Sequence, residues 1–339
     1  MTTTAVEPGV GIRERSPVLR FLARRILGAV LALFAASIVI FAGTVMLPGD
    51  AAGVVLGRTA TPEKVAKLNH QMHFDRPAYR LYTSWLEGFV QGDLGDSAVG
   101  IVQGEKSAPI WPLISNAVKN SAILAAIAAL LMIPLSLGLG AIAAVYAGKP
   151  VDRLISVVSL AAIALPEFVI GSLLIGIFFV GLNKLLPPVA LVPPGASPLG
   201  HPTRLVLPVA TLLLASLAAG IRMVRAGMVE TLQTEYVQTA RLNGLAEKRV
   251  LMRYAMRNAL APSVQVLAQN LQWLIGGIII TESVFAYPGI GSLLVTAVGN
   301  RDVTVVQSVA MLLAIVYVLL NLLADLIVLL LVPKLREPA

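Results

Sequence analysis

The sequence predicts an all-α membrane protein with six transmembrane helices and with both termini in the cytoplasm. Its 339 residues are 57% hydrophobic and only 13% charged, whereas a soluble domain carries about 25% charged residues. The apolar residues are grouped into runs that can cross a hydrocarbon layer about 30 Å thick. Helices are expected in these runs because every backbone polar group in lipid must find its partner within the segment.

The first predicted span covers residues 26–47 and follows a basic tail. Residues 1–25, which we expect to be cytoplasmic, contain five arginines and two glutamates. The apolar run is longer than the core of a signal peptide, which has about 7–15 residues. We therefore predict that it remains in the protein as a transmembrane helix.

Residues 48–120 form a large predicted extracytoplasmic loop. A connection of this length is expected to contain structure of its own. The sequence Thr-Pro-Glu at 61–63 is typical of a helix start, and Gly92 is expected to end the helical segment. Between them, aromatic side chains recur at helical spacing, as in a helix at the membrane interface: Tyr79, Tyr82, Trp85 and Phe89.

Residues 121–332 are predicted to form a core of five further helices that includes a cytoplasmic hairpin, followed by a cytoplasmic tail at 333–339. The predicted spans are 121–147, 154–182, 205–221, 264–281 and 305–332. With the N-terminus inside, the cytoplasmic segments contain 16 of the 26 Lys and Arg residues, which agrees with the bias of short inner loops toward positive charge. Because this placement accounts for the net charge of +8, no nucleic acid is expected as a partner.

Residues 222–262 are polar and basic, and they are predicted to form a helical hairpin in the cytoplasm. Thr234 is expected to cap a short helix whose first turn contains Glu235. Gly244 is expected to end that helix, since glycine tolerates the left-handed conformation of a helix C-terminus. A second helix is predicted over residues 246–260, stopping before the next proline.

The second helix of the hairpin carries arginines at four-residue spacing, Arg249, Arg253 and Arg257. Like charges at this spacing destabilise an isolated helix by about 0.2–0.5 kcal/mol per pair. An anionic neighbour, either lipid headgroups or an acidic protein surface, explains the stripe better. A basic loop that only obeys the positive-inside rule is the alternative, and the short helix ending at a sharp glycine turn favours docking to a partner.

The hairpin and several shorter segments share motifs with one known family. The hairpin fits the pattern Y-V-x-T-A-R-x-x-G-L at residues 236–245, followed by R-N-A-L-x-P at residues 257–262. Elsewhere the chain contains LPGD, FDRPAYRLY, GDLGDS, ESVFAYPGIGSLL and NLLADL, in that order. In these motifs the chain resembles the permease subunits of ATP-binding-cassette importers of the oligopeptide/dipeptide type.

The resemblance implies a permease subunit of an ATP-driven importer in the bacterial inner membrane. Its implied partners are a second homologous permease, two ATP-binding-cassette ATPase subunits, an extracytoplasmic substrate-binding protein and membrane lipid. The chain contains no phosphate-binding loop G-x4-G-K-[ST], so ATP and Mg²⁺ are expected on the ATPase subunits, and this chain is not expected to be an enzyme. The residues expected to couple to the ATPase are Tyr236, Thr239, Ala240, Arg241, Gly244, Leu245, Arg249 and Arg253.

The implied substrates are short peptides, although related systems of similar sequence carry nickel, glutathione or haem-like compounds. The alternative from another class is a self-sufficient secondary transporter, which predicts transport by the purified chain alone, driven by an ion gradient. His70 and His73 lie three residues apart but have no ligand cluster around them, so no metal site is expected. The chain has no cysteine, which excludes disulfides, thiolate zinc sites and cysteine nucleophiles.

Four polar side chains within the predicted spans are candidates for lining the translocation pathway: Glu167, Gln265, Gln269 and Gln272. An intramembrane carboxylate is by default a functional-site hypothesis, the alternative being a buried group that only packs the bundle. The three glutamines form one stripe of amides, which could line a polar pathway or form hydrogen bonds between helices. Asn321 and Asp325, four residues apart, are predicted to pack between helices.

Overall fold

The computed structural model describes residues 17–45, 51–57, 60–72, 75–193 and 195–331. Most of the predicted N-terminal tail, the predicted tail at 333–339 and His73 lie outside the described residues, as do the side chains of Arg257 and Gln265. The described ranges are mainly helical and contain no β-strand.

Fourteen α-helices follow one another along the described part of the chain. They are α1 (Pro17–Val45), α2 (Ala51–Leu56), α3 (Pro62–Gln71), α4 (Ala78–Gln91), α5 (Ala98–Val102), α6 (Ile110–Val145), α7 (Pro150–Ala164), α8 (Glu167–Ile175), α9 (Pro202–Leu232), α10 (Glu235–Leu242), α11 (Glu247–Arg249), α12 (Met256–Val284), α13 (Ile290–Gly299) and α14 (Val303–Leu331). Two helices continue as π-helical segments, α8 into Gly176–Gly181 and α11 into Val250–Ala255.

Four of the described helices are long and apolar enough to cross a membrane, and a bent pair could supply a fifth span. The four are Ala23–Val45 of α1, all of α6, all of α9, and Val303–Leu326 of α14. The bent pair joins α7 to α8 and its π-helical continuation. The predicted span 264–281 lies within α12, a helix of 29 residues in which amide side chains interrupt the apolar sequence.

The predicted span 154–182 is not a single straight helix. α7 ends at Ala164 and α8 begins at Glu167. Between them the helix axis bends by 112° away from a straight line. Leu165, between them, is extended at φ −97° and ψ 132°, because a residue before proline is pushed out of the helical region, and Pro166 itself has no N–H to donate. The bend places Glu167 in the first turn of α8.

The predicted loop at 48–120 contains four short helices and the beginning of α6. The Thr61 side chain accepts a hydrogen bond from the Lys64 backbone N–H at 3.3 Å and starts α3. Gly92 ends α4 in the left-handed conformation, with φ +84°. Both predicted helix boundaries are therefore confirmed, whereas α6 begins at Ile110, earlier than the predicted start at 121.

The aromatic residues predicted to share a helical face lie on α4, and two of them, Tyr82 and Trp85, pack against α1. The ring of Phe41 lies 5.3 Å from the ring of Tyr82 and 6.2 Å from that of Trp85, between centroids. The hydroxyl groups of Tyr82 and Ser37 form a hydrogen bond of 2.8 Å. This face of α4 is thus a contact that holds the predicted extracytoplasmic segment to the first apolar helix.

The core lies where α6 and α12 pack against α9. Leu124 and Met132 of α6 are fully buried in one apolar cluster with Leu212 of α9. The two helices approach so closely that a Cβ at Gly140 would lie 2.6 Å from the Cβ of Val224. α7 is attached to the same helix by the buried carboxylate of Asp152, which forms a two-point ion pair with Arg225 at 2.6 and 2.8 Å.

Candidate functional site

The polar hairpin contains the short helix that the sequence predicts. α10 runs from Glu235 to Leu242, and Gly244 follows in the left-handed conformation with φ +73°. The predicted cap is wrong in detail: Thr234 occupies the N-cap position, but its hydroxyl donates to the Thr231 carbonyl at 2.5 Å. Thr234 therefore closes the end of α9 and leaves the first N–H groups of α10 without a side-chain cap.

A small apolar cluster fixes α10 to the rest of the chain. Val237 and Ala240 of α10 are buried against Val250 of the following π-helical segment. Among the predicted coupling residues, Ala240 thus holds the helix in place and offers no free surface. The face of α10 that is open to a partner carries Tyr236, Thr239 and Leu242, the last of which is 87% exposed.

An ion pair closes the turn after α10. Arg241 donates to both carboxylate oxygens of Glu247, at 2.6 and 3.1 Å. This hydrogen bonding holds the pKa of the Glu247 carboxyl below its usual value and raises the pKa of Arg241. The contribution of the pair to stability is therefore present above the ordinary carboxyl pKa and is lost as the pH falls through the lowered value. Both groups are exposed, so the contribution is at most about 1 kcal/mol.

The second helix of the hairpin does not stop before Pro262 as predicted. α11, the π-helical segment and α12 follow without a break from Glu247 to Val284. Arg249 and Arg253 are exposed, but the wider turn of a π-helix changes the spacing between them. The second arm of the hairpin is consequently the first part of a long helix. The other part of that helix lies in the bundle.

That other part lines a cleft of about 860 Å³ between α7, α8, α9 and α12. Its polar lining residues are Glu167, Ser216, Gln269, Asn270 and Trp273. Glu167 approaches α12 so closely that a Cβ at Gly277 would lie 2.7 Å from its Oε1. The structure thus brings together two of the predicted pathway residues, Glu167 and Gln269.

The other described glutamine of the predicted amide stripe has a different environment. Gln272 donates to Oδ1 of Asn321 at 2.9 Å and joins α12 to α14. It does not line the cleft. Asn321 therefore packs between helices as predicted, and so does Asp325, which pairs with Arg25 of α1 at 3.0 Å.

This difference leads to a testable prediction for Gln272 and Gln269. Gln272→Leu should lower the stability of the purified protein by about 1 kcal/mol, because it leaves the Asn321 amide without its partner between two helices. Gln269→Leu, the matched change one turn earlier on the exposed face, should leave stability unchanged. Thermal unfolding in detergent measures both, and equal effects would contradict the assignment.

Two buried carboxylates near the predicted extracytoplasmic side were not singled out from the sequence. Glu282, fully buried, accepts hydrogen bonds from the Ser121 hydroxyl at 2.5 Å and from the Gly291 N–H at 2.7 Å. Asp302 accepts from the Ser97 hydroxyl at 2.5 Å and joins the start of α14 to α5. A sequence signal exists for both, since each is an acidic residue beside an apolar run. Glu282 is followed by Pro-Gly, and Asp302 is followed by the start of a helix.

No group of three or more His, Asp or Glu side chains able to hold a metal ion occurs among the described residues. His70 lies exposed on α3. The polar groups of the cleft are therefore one carboxyl group, amides and a hydroxyl, which can bind a polar organic ligand through hydrogen bonds and charge.

Comparisons with known proteins agree with these features. The family described as "Binding-protein-dependent transport system inner membrane component" matches residues 136–337, and its N-terminal counterpart matches residues 18–137. The glutathione transport system permease protein GsiC of Escherichia coli (strain K12) is 32% identical over 319 residues, covering 94% of this chain and 99% of that protein. The probable peptide ABC transporter permease protein y4tP of Sinorhizobium fredii is 31% identical over 316 residues, covering 93% and 99%.

A solved structure shares the fold. The inward-facing MetNI methionine ABC transporter superposes with a TM-score of 0.53 at 18% identity, covering 66% of this chain and 99% of that chain. The matched family regions together extend over residues 18–337, so the resemblance predicted from the hairpin motifs is confirmed. The chain belongs to the inner-membrane permease family of binding-protein-dependent transport systems, and it is a permease subunit of an ATP-binding-cassette importer of the peptide type.

Proposed function

We propose that this permease imports short peptides and forms one half of the translocation pathway. The cleft of about 860 Å³ lies within the usual size range of small-molecule sites, about 300–1,000 Å³. Its amide groups, Gln269 and Asn270, suit a substrate that carries backbone amides. The two relatives are named for a peptide and for glutathione, which is itself a small peptide; glutathione is therefore the second candidate substrate.

The proposed topology has six membrane-spanning segments with both termini in the cytoplasm. α12 supplies the segment that apolarity alone does not identify, because Gln269 and Asn270 line the cleft and Gln272 contacts α14. The excess of arginine and lysine in the short predicted inner segments supports this orientation. The hairpin around α10 then lies on the cytoplasmic side.

Coupling in this proposal depends on the unbroken helix from Glu247 to Val284, which is the observation that carries it. The exposed face of α10 docks into a cleft of a separate ATPase subunit, which holds ATP and Mg²⁺. When two such subunits close, α10 moves with them as a rigid piece because Val237, Ala240 and Val250 fix it to the start of the long helix. The movement reaches Gln269 and the cleft through α12.

The proposal has a direct test in purification followed by reconstitution. Affinity purification in mild detergent should recover a second permease and an ATPase subunit with this chain. Proteoliposomes containing that assembly should accumulate trialanine only when ATP and the extracytoplasmic substrate-binding protein are both present. Uphill accumulation by this chain alone, driven by an ion gradient without nucleotide, would establish the secondary transporter instead.

A further inference from the structure

The carboxyl group of Glu167 lies among mainly apolar residues and has no hydrogen-bond or ion-pair partner in the described part of the chain. It lies at the bend between α7 and α8, partly buried, beside Leu165 and Phe168. It makes no hydrogen bond or ion pair with any described residue. An ionisable group within a membrane bundle is costly unless a partner compensates it. The other buried carboxylates of this chain, such as Asp152 and Glu282, have such partners.

The cleft in front of Glu167 carries a single charge. Glu167 is the only charged side chain among the described residues that line it, and the remaining lining residues are apolar, amide, hydroxyl or aromatic. In a site with low-dielectric walls this one carboxylate dominates the local potential. The cleft therefore favours a cationic group and disfavours an anionic one.

α12, against which Glu167 packs, also supplies an aromatic side chain to the same cleft. Gln269, Trp273 and Gly276 lie on one face of α12, at positions i, i+4 and i+7. Trp273 lines the cleft, and 76% of its surface is exposed. Tryptophan is the side chain whose ring attracts cations most strongly. Gly277 leaves the space that the Glu167 carboxyl occupies.

We propose that this cleft binds the protonated amino group of the substrate, with Glu167 as its counter-charge and Trp273 as its aromatic neighbour. The inference rests on the proposed function and narrows it: the transported peptides carry a free amino terminus, and peptides with a blocked amino terminus are poor ligands of the permease itself. A lone carboxylate does not provide the several oxygen ligands that a divalent metal ion requires. An organic ammonium group needs only one carboxylate and an apolar or aromatic wall.

The test uses the complete importer in nanodiscs without the substrate-binding protein, so that selection by that protein does not contribute. The probes are trialanine amide and N-acetyl-trialanine amide, whose amino termini are a charged ammonium group and a neutral acetamide, respectively. Trialanine amide should bind about tenfold more tightly, as expected for a hydrogen bond between charged partners in a poorly solvated site. Glu167→Gln should remove this preference by weakening the amine-bearing probe, while binding of the acetylated probe stays unchanged.

Two further variants separate the role of the charge from a folding defect. Glu167→Asp keeps a carboxylate and should retain a measurable preference for the free amine. Glu87→Gln removes an exposed carboxylate from α4, far from the cleft in the chain, and should behave as wild type. Unchanged binding of the acetylated probe to Glu167→Gln serves as the control for an intact cleft.

The outcomes separate this inference from the proposed function. Equal affinities for the two probes, or an unchanged preference in Glu167→Gln, overturn the inference even when the same importer accumulates trialanine with ATP. Failure of trialanine amide to bind at concentrations up to about 10 mM, which is weaker than the millimolar range of even low-affinity sites, overturns it as well. Preferential binding of the amine together with absent ATP-driven peptide uptake supports Glu167 as the amine-binding group of the cleft and rejects the peptide-import proposal.

Discussion

Replacing Gly244 with valine is expected to lower ATP-driven uptake at least about tenfold while the subunit still assembles in the membrane. Gly244 has φ +73°, a conformation that costs a β-branched residue about 1–2 kcal/mol or more. No atom lies within 4 Å of the position of a Cβ there, so the substitution causes no clash within the chain. The strain must instead be relieved in the turn that joins α10 to α11.

That turn sets the direction of α10 relative to the long helix. The Leu245 N–H donates to the Ala240 carbonyl at 3.3 Å and the Gly244 N–H donates to the Arg241 carbonyl at 2.9 Å. Both bonds depend on the left-handed residue at the end of α10. A valine that forces this residue out of the left-handed region tilts α10, and the exposed Tyr236 and Leu242 no longer reach the proposed ATPase cleft together.

The measurement compares ATP hydrolysis with uptake in the same proteoliposomes. Hydrolysis should continue or lose its dependence on substrate, while uptake falls. Gly104→Val is the matched control, because Gly104 also has positive φ (+99°) and open space around it but lies in the predicted extracytoplasmic segment. A Gly244→Val importer with normal uptake per ATP would contradict the coupling role of the turn.

Local signals were sufficient to predict α10 and α3 from the sequence. Glu235 and Gly244 lie at the two ends of α10, Thr61 begins α3 and Gly92 ends α4. Each of these residues acts through its own backbone or that of near neighbours. Thr234 was predicted less well. A hydroxyl that can cap α10 can equally donate to a carbonyl at the end of α9, and the sequence does not decide between the two.

The features that depend on neighbouring helices could not be predicted in the same way. Gln269 and Gln272 belong to one stripe, but only the packing of α14 decides that Gln272 meets Asn321 while Gln269 faces the cleft. The helix boundary expected before Pro262 was wrong, since α12 continues through that position; a proline removes one backbone hydrogen bond, which can kink a helix without ending it. The bend at Pro166, by contrast, follows from the local rule that the residue before a proline avoids the helical conformation. It was not predicted because the apolar run 154–182 is long enough for a single straight helix.

Replacing Glu282 with alanine is expected to be the most destabilising single change considered for this chain. The carboxylate accepts from the Ser121 hydroxyl of α6 and from the N–H groups of Gly291 and Ser292 at the start of α13. Each buried donor left without an acceptor costs about 1–3 kcal/mol. The loss should therefore exceed about 3 kcal/mol, and the apparent Tm of the purified subunit should fall by on the order of 10 °C.

Two variants show whether the loss comes from this network. Glu282→Gln keeps one acceptor oxygen but presents an N–H₂ group to donors, so it should recover only part of the stability. Gly289→Ala places a Cβ 2.0 Å from Oε1 of Glu282 and should destabilise through the same carboxylate although residue 282 is unchanged. Glu87→Ala, which removes an exposed carboxylate, is the control. An apparent Tm of Glu282→Ala within a degree or so of wild type would mean that water satisfies the freed donors, and α13 would then not depend on Glu282 for its attachment to α6 and α12.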